Sequence, residues 1–340
     1  MRKLLNTLYI TTPESYLSKD GQNVVVSVRQ EEMFRIPIIN IESIVTFGYM
    51  GASPGLMKLC TDNNVSLTFL SPNGRFVSHI QGQTRGNVLL RKAQYALADD
   101  EKWTLHIAQV MIGGKIQNYR NILRRYIRDY GENEEVEAAA KALEVFKRDA
   151  FRSSDKTRLI GVEGMAANRY FEVLPHLMTQ QREEFPFAGR NRRPPKDAVN
   201  AMLSLAYTLI TNDIAAALET VGLDPYVGFL HTLRPGRASL ALDMVEELRA
   251  YLGDRFVLSL INRRQITPHD FIYQGEKGVQ LTDNGRRTFL TAWQNRKKET
   301  LVHPFLNEKI PVGLIPHAQA MLLARMIRND IDDYPVFLFK

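Results

Sequence analysis

The sequence has almost no cysteine and no long hydrophobic run. Its 340 residues include one cysteine, Cys60, so no disulfide can form within the chain and a cysteine-based zinc site is excluded. No stretch approaches the ~20 apolar residues of a membrane span, and the basic start lacks the apolar segment of a signal peptide. These absences predict a cytoplasmic protein with no membrane segment.

Several common catalytic motifs are missing as well. The sequence contains no glycine-rich phosphate-binding loop of the G-x-x-x-x-G-K-[ST] type, and the pair Gly113-Gly114 alone is not a dinucleotide fingerprint. No serine lies in a nucleophile elbow. The sequence therefore gives no support for a nucleotide-driven enzyme or a serine hydrolase.

Basic residues exceed acidic ones. Lysine and arginine number 44 against 37 aspartates and glutamates, a net charge of +7, while the hydrophobic content of 44% is ordinary for a folded protein. A basic surface favours an anionic partner, most often a nucleic acid, although it also serves solubility.

The first ninety residues have the pattern of β-structure. Short runs rich in Val, Ile, Phe and Thr alternate with turn signals, and Asn73-Gly74 between two apolar runs predicts a hairpin. Six strands with no long helix between most of them predict a sandwich or a barrel-like β domain over residues 1–90. The predicted strands are 4–11, 24–28, 34–38, 44–47, 65–70 and 76–80.

Helical spacing dominates the rest of the chain. We therefore predict an α+β protein, in which the β domain is followed by an all-α domain over residues 91–340. Asp197 is placed to cap a helix that is apolar nearly all round and hence predicted to be buried. The predicted helices are 110–128, 134–151, 164–174, 198–220, 239–252, 283–300 and 318–331.

Three local features carry ionisable side chains that could do chemistry. Glu163 begins a predicted helix and shares its face with small apolar residues, where a carboxylate needs a cation or a partner. The alternative is a glutamate that answers the helix dipole. His231 follows an apolar run, which is more often the position of a structural histidine.

The third feature is an acidic face on one predicted helix. Asp243, Glu246 and Glu247 lie at i, i+3 and i+4, and three acids this close repel one another. Either they form a solvated face neutralised by Arg249 and salt, or they belong to a site for a hard cation. Carboxylates with one histidine are typical ligands of Mg²⁺ or Mn²⁺.

Basic residues are grouped within the helical half. One helix carries Arg120 and Arg124 on one face, and Lys115 lies on the same helix. Any one group could be a solvated face, but several together indicate a surface that follows the phosphates of a nucleic acid. The candidates for these phosphate contacts are Lys115, Arg120, Arg124, Arg190, Arg192, Arg193, Arg237, Arg263 and Arg264.

A set of motifs, taken in order, resembles one known family over essentially the whole chain. The motifs are Gly161-Val162-Glu163-Gly164 with Tyr170-Phe171, Phe187–Pro195 running on to Asn200, Asp224–His231, Arg237–Asp243 with Glu246, and Tyr334-Pro335. They resemble the CRISPR-associated integrase-endonuclease, the larger subunit of the spacer-acquisition complex, and most closely its type I-C branch.

The resemblance implies a metal site and a dimer. By motif, Glu163, His231 and Glu246 would bind Mg²⁺ or Mn²⁺, with Asp243 as a supporting acid. Many relatives have aspartate at the position of Glu246, so this chain departs slightly from the family. Glu247 has no family counterpart. The resemblance also implies that residues 1–90 are a β-sandwich that forms the homodimer, and that the helical domain over residues 91–340 is catalytic and binds DNA.

The implied activity is insertion of short foreign DNA into a CRISPR array. A 3′-OH would attack the phosphodiester at the repeat end, and the same site would also cut branched DNA. The implied partners are double-stranded and branched DNA, a smaller ferredoxin-like subunit and a RecB-like nuclease that trims the fragment. Two alternatives stay open: a non-catalytic DNA-binding or assembly subunit, and a transposon-type integrase or branched-DNA repair nuclease.

Overall fold

The structure is a computed structural model that describes residues 7–41, 43–48, 50–71, 76–80 and 88–339. The chain divides into two compact units. Unit 1 comprises Met1–Gly86, Leu281–Thr300 and Pro311–Leu314, and unit 2 comprises Asn87–Gln280, Leu301–Ile310 and Ile315–Lys340. The chain therefore returns to unit 1 late in the sequence, a feature that a single division at residue 90 does not contain.

Unit 1 is built on two four-stranded sheets. The first has the order β1-β5-β7-β8, with β1, β5 and β7 parallel and β8 antiparallel to β7. The second has the order β4-β3-β2-β6. The strands are β1 Thr7–Ile10, β2 Ser15–Asp20, β3 Asn23–Val28, β4 Glu31–Pro37, β5 Ser43–Phe47, β6 Gly51–Ala52, β7 Ser66–Leu70 and β8 Phe76–Ile80.

Both sheets contribute to one hydrophobic core. Leu17 and Val24 come from the second sheet, Ile44 and Leu67 come from the first, and all four are fully buried. The antiparallel pairing of β7 with β8 confirms the predicted hairpin strands, while Asn73-Gly74 lies outside the described residues. The β-rich N-terminal region is therefore confirmed.

One helix and two strands of unit 1 were not predicted. Helix α1, Pro54–Asp62, lies between β6 and β7, and β2 and β6 were also missed. The helix signal is short but present, because the Ser53 hydroxyl accepts the N–H of Leu56 at 3.2 Å and Pro54 occupies the first turn. The crossover it provides allows β5 and β7 to run parallel.

Unit 2 is mainly helical, which confirms the α+β class. Side chains of Asp100, Asn133, Asp155 and Asp197 cap four of its helices by accepting N–H groups of the first turn. Its helices are α2 Val88–Asp99, α3 Glu101–Tyr130, α4 Glu134–Phe151, α5 Lys156–Val173, α6 Ala198–Val221, α7 Ser239–Leu248, α8 Arg255–Asn262 and α10 Ile315–Ile327, while α9 Asp283–Lys298 belongs to unit 1.

The sequence predicts an all-α C-terminal region, and the structure shows that this is wrong. Two small sheets interrupt the helices, one of β9 Phe271–Tyr273 with β10 Val279–Leu281 and one of β11 Thr300–Val302 with β12 Lys309–Pro311. The single helix predicted over 239–252 is α7 followed by a π-helical segment, Arg249–Asp254, that continues into α8. Such short segments give too little periodicity to be found by pattern.

Helix α6 alone, among the described residues, is long and apolar enough to cross a membrane by length and composition. In the folded chain 61% of an apolar 18-residue stretch of this helix is buried. Asp197 caps its start, with the carboxylate 2.7 Å from the N–H of Asn200, and Gly222 ends it in the left-handed conformation. These features are typical of the core helix of a folded domain, as predicted.

The C-terminal tail is fixed by helices α3 and α7. The Asn118 amide donates to the Phe337 carbonyl at 2.7 Å, and a Cβ at Gly114 would lie 2.3 Å from Val336, so glycine is required for this close approach. The carboxylate of Glu247 accepts the hydroxyl of Tyr334 and, at 2.5 Å, the N–H of Phe337. Glu247 therefore anchors the tail.

The environment of Glu247 favours its neutral form. Burial raises the pKa of this carboxyl from 4.5 to about 7, although the hydrogen bonds from Tyr334, Phe337 and Gln319 oppose the rise. The folded protein then holds the proton more tightly than the unfolded chain. That contribution to stability is complete below the unfolded pKa and is lost as the pH rises through about 7.

We expect Glu247→Gln to remove this pH dependence, because glutamine resembles the protonated carboxyl at every pH. The free energy of unfolding of the variant, relative to the unsubstituted protein, should rise by about 2–3 kcal/mol between about pH 5 and pH 8. Urea denaturation across that range measures it. The exposed Glu132→Gln is the control, and a difference for Glu247→Gln that stays constant with pH would contradict the assignment.

Candidate metal centre and its surroundings

Glu163 lies in the interior of a helix. Helix α5 begins at Lys156, where Asp155 caps it by accepting the N–H of Arg158 at 2.9 Å, and its first turn contains no acidic residue. The interpretation of Glu163 as a helix-start glutamate is therefore wrong. Its side chain is 24% exposed, so it lies at an open edge of the buried site.

Asp243 orients His231 and the loop before it. One carboxylate oxygen accepts the backbone N–H groups of Phe229 and Leu230 at 2.6 and 2.9 Å. The other accepts the backbone N–H of His231 at 2.9 Å and contacts its ring Nδ1 at 2.6 Å. With Nδ1–H donated to a carboxylate, the lone pair of the imidazole is at Nε2 and is available to a ligand.

The loop needs a glycine beside this carboxylate. A Cβ at Gly228 would lie 2.4 Å from the Asp243 Oδ2 and 2.7 Å from the backbone N of Leu240. A side chain there would displace either the carboxylate or the start of α7. The sequence Gly-Phe-Leu-His thus lets three successive N–H groups meet one carboxylate.

Lys115 joins the two predicted glutamate ligands. Its ammonium donates to Glu163 and, at 2.6 Å, to Oε2 of Glu246. The Lys115 side chain is 4% exposed and that of Glu246 is 6% exposed. Lys115 was predicted to contact DNA, but a buried ammonium between two carboxylates has no surface to offer a phosphate in this arrangement.

Glu246 lies between two cations. The Arg249 guanidinium contacts its Oε1 at 2.8 Å, while Lys115 holds Oε2. Burial alone would raise the pKa of the Glu246 carboxyl, but Arg249 and Lys115 outweigh it and lower the pKa to about 2. Glu246 is therefore ionised across the whole range in which the protein would work.

The acidic face of α7 is buried. Asp243, Glu246 and Glu247 all lie in the interior, so the interpretation as a solvated face is wrong, although Arg249 does pair with Glu246. Their contacts differ: Asp243 contacts His231 and Glu246 contacts Lys115, whereas Glu247 holds the tail through Tyr334 and Phe337. Omitting Glu247 from the predicted site thus agrees with its contacts.

The donor chemistry suits a divalent cation, and a cation already occupies part of the space. Two carboxylates and one imidazole are typical ligands for Mg²⁺ or Mn²⁺. His231 is close enough to Glu246 that a charge on its ring would lower the pKa of Glu246. Within the described ranges, no three His, Cys, Asp or Glu side chains are already arranged around one metal position. The Lys115 ammonium stands between the glutamates instead.

The remaining DNA-binding candidates divide into exposed and committed side chains. Arg190 is half-buried and donates to Asn200 at 2.6 Å and to Ser204 at 3.0 Å. Arg120 pairs with Glu144 at 3.3 Å and Arg237 is half-buried. The exposed cations are Arg124, Arg192, Arg193, Arg263 and Arg264, of which Arg264 donates to the Gln180 side chain at 3.0 Å.

A second buried network adjoins the site and was not predicted. Arg249 lies over the ring of Tyr207 at 4.8 Å, and the Tyr207 hydroxyl donates to Asp254 at 2.5 Å. Burial raises the pKa of Asp254 to about 6. The ring of Tyr170, a residue of the Glu163 motif, stacks on Tyr119 at 3.9 Å. These tyrosines give no chemical signal in the sequence, where they resemble ordinary core residues.

Comparison with known proteins identifies the family of the chain. A family model described as CRISPR associated protein Cas1 matches residues 8–295. A CRISPR-associated endonuclease Cas1 from Chlorobaculum tepidum is 48% identical over 343 residues, covering 100% of both chains. A CRISPR-associated exonuclease Cas4/endonuclease Cas1 fusion from Geobacter sulfurreducens is 35% identical over 337 residues, which cover 97% of this chain and 60% of the relative.

Solved structures share the fold. A Cas1 protein from Thermotoga maritima has a TM-score of 0.83 at 21% identity, covering 98% of this chain and 100% of the other. A casposase bound to integration product has a TM-score of 0.85 at 21% identity, covering 98% and 93%. A Cas6-RT-Cas1–Cas2 complex has a TM-score of 0.84 at 22% identity, covering 99% and 36%. The resemblance seen in the motifs is confirmed, and the chain belongs to the Cas1 family of CRISPR-associated endonucleases.

Proposed function

We propose that this chain is a cytoplasmic, metal-dependent DNA integrase and endonuclease that inserts short DNA fragments into a CRISPR array. The observation that carries the proposal is the arrangement of Glu163 and Glu246 on either side of one cation, with His231 oriented by Asp243. Membership of the Cas1 family, whose curated relatives are named endonucleases, supports it.

The proposed reaction is a transesterification. The 3′ oxygen of the incoming strand forms a bond to the phosphorus at the repeat end. The bond between that phosphorus and the 3′ oxygen of the preceding nucleotide breaks. A proton leaves the attacking hydroxyl, and the leaving oxygen takes up a proton. A Mg²⁺ or Mn²⁺ ion bound there would polarise the phosphate and favour ionisation of the attacking hydroxyl. Because one phosphodiester replaces another, the same site can also cut branched DNA in reverse.

The chain's own residues each have a distinct task in this scheme. Glu163, His231 through Nε2, and Glu246 would bind the ion, and the charge of Glu246 is secured by Arg249. Asp243 holds the imidazole in its orientation and is a positioning residue. Because Asp243 and Glu246 are buried, water is kept from competing with the ligands for the ion.

The proposed partners are DNA, a second copy of the chain, a small Cas2-like subunit and a trimming nuclease. The edge strand β4 is exposed along nearly its whole length and carries Met33 and Phe34 at the surface, which supports a homodimer through unit 1. A structure of this fold in a complex with Cas2 supports the small subunit. A relative fused to an exonuclease Cas4 supports the nuclease.

We expect His231→Ala to abolish strand transfer and nicking, because the site loses the one nitrogen ligand that Asp243 orients. Activity should fall about 10²–10³-fold or more, while the affinity for DNA stays nearly unchanged. Strand transfer into a plasmid carrying repeats, together with a DNA-binding titration, measures both quantities. The control is His106→Ala, because His106 is half-buried and pairs with Asp333. Full activity of His231→Ala at saturating Mn²⁺ would contradict the assignment.

We expect Asp243→Asn to reduce strand transfer about 10- to 100-fold through the orientation of His231, since an amide cannot accept all four N–H groups. The affinity for Mn²⁺, measured by calorimetry, should weaken together with activity. Asp224→Asn is the matched control, because Asp224 also accepts a loop N–H, that of Tyr226 at 2.8 Å. Reduced activity with unaltered Mn²⁺ affinity would contradict a role through the imidazole.

We expect Arg192→Gln with Arg193→Gln to weaken DNA binding without altering Mn²⁺ affinity, because both guanidinium groups are exposed. The slope of the logarithm of the binding constant against the logarithm of salt concentration should fall by about 2. Lys141→Gln with Arg328→Gln removes the same charge from exposed ion pairs and is the control. An equal effect of both pairs would indicate general charge rather than a DNA contact.

A further inference from the structure

The ammonium of Lys115 is the feature from which a further role can be argued. It is buried in the middle of helix α3 and donates to two carboxylates on two other helices, Glu163 on α5 and Glu246 on α7. A buried lysine that lacks a partner is costly, and so is a pair of buried carboxylates that lacks a cation. The three side chains therefore stabilise one another.

Lys115 contacts one carboxylate oxygen of each glutamate. On Glu246, Arg249 contacts Oε1 at 2.8 Å and Lys115 contacts Oε2 at 2.6 Å. On Glu163, Lys115 contacts Oε1. A divalent ion that binds both glutamates would thus lie next to the ammonium, and like charges at that separation repel strongly.

We propose that Lys115 is a tethered counter-ion that keeps Glu163 and Glu246 together before metal binds, and that metal binding displaces its ammonium. Lys115 thereby lowers the affinity of the site for the metal, and it keeps the two glutamates in place when no metal is bound. This inference rests on the proposed metal-dependent function. Lysine suits the role, because a flexible four-carbon stem can withdraw its charge, and the exposed edge of Glu163 marks the open side.

The first test measures Mn²⁺ binding by calorimetry on the full-length chain. We expect Lys115→Gln to bind Mn²⁺ about tenfold more tightly than the unsubstituted protein, because no ammonium has to leave. Lys147→Gln is the matched control, since Lys147 pairs with Glu144 and donates to Gln117 at 2.8 Å, away from the glutamate ligands. Its affinity for Mn²⁺ should be unchanged.

The second test needs no metal. In a chelating buffer, Lys115→Gln should unfold at a lower temperature than the unsubstituted protein, because two carboxylates then face each other with one cation fewer. Lys115→Gln with Glu163→Gln should recover most of that loss, since the second change removes the uncompensated charge. A double variant no more stable than Lys115→Gln would overturn the counter-ion role, and the double variant also keeps the test possible where the single variant unfolds.

The outcomes separate this inference from the proposed function. If Glu163→Gln abolishes Mn²⁺ binding but Lys115→Gln binds Mn²⁺ no more tightly than the unsubstituted protein, the displacement of Lys115 is overturned and the metal site stands. If the unsubstituted protein shows no Mn²⁺ binding that depends on Glu163, both are overturned. Tighter binding by Lys115→Gln, with Lys147→Gln unchanged, supports the inference.

Discussion

Buried negative charge on helix α7 is the constraint on which the rest of unit 2 depends. Three carboxylates within five residues are buried away from water, and the cost of burying each one is offset in a different way. Asp243 accepts N–H groups, Glu246 is held between two cations, and Glu247 is shifted toward its neutral form. Each solution draws a separate part of the chain to α7: the histidine loop, helix α3 and the C-terminal tail.

The coarse organisation could be predicted because it follows from periodicity. Strand-like runs before residue 90 and helical spacing after it gave the α+β class, and Asp197 was correctly expected to cap α6. Pattern alone misses segments of two or three residues, such as β6 and β9, and it also misses the short helix α1. So few residues do not establish a repeat of apolar and polar positions. The return of the chain to unit 1 at α9 depends on long-range packing, which local pattern does not contain.

The candidate ligands could be named only through the resemblance, because a lone glutamate or histidine is more often structural. What the sequence could not give is the partner of each side chain. Lys115 has the appearance of one more cation on a basic helix, and its burial depends on Glu163 and Glu246, which are distant in sequence. Arg249 likewise could have been a surface counter-charge, yet it connects Glu246 to Tyr207.

The anchoring of the tail has a consequence for how the protein can be shortened. Glu247 is adjacent in sequence to Glu246, and its carboxyl is satisfied by Tyr334, the N–H of Phe337 and the amide of Gln319. A truncation before Tyr334 would therefore remove two hydrogen-bond donors from the buried carboxyl of Glu247, which is next in sequence to the candidate metal ligand Glu246. The last residues of the described chain thus stabilise the candidate metal centre through Glu247, although none of them is a candidate ligand.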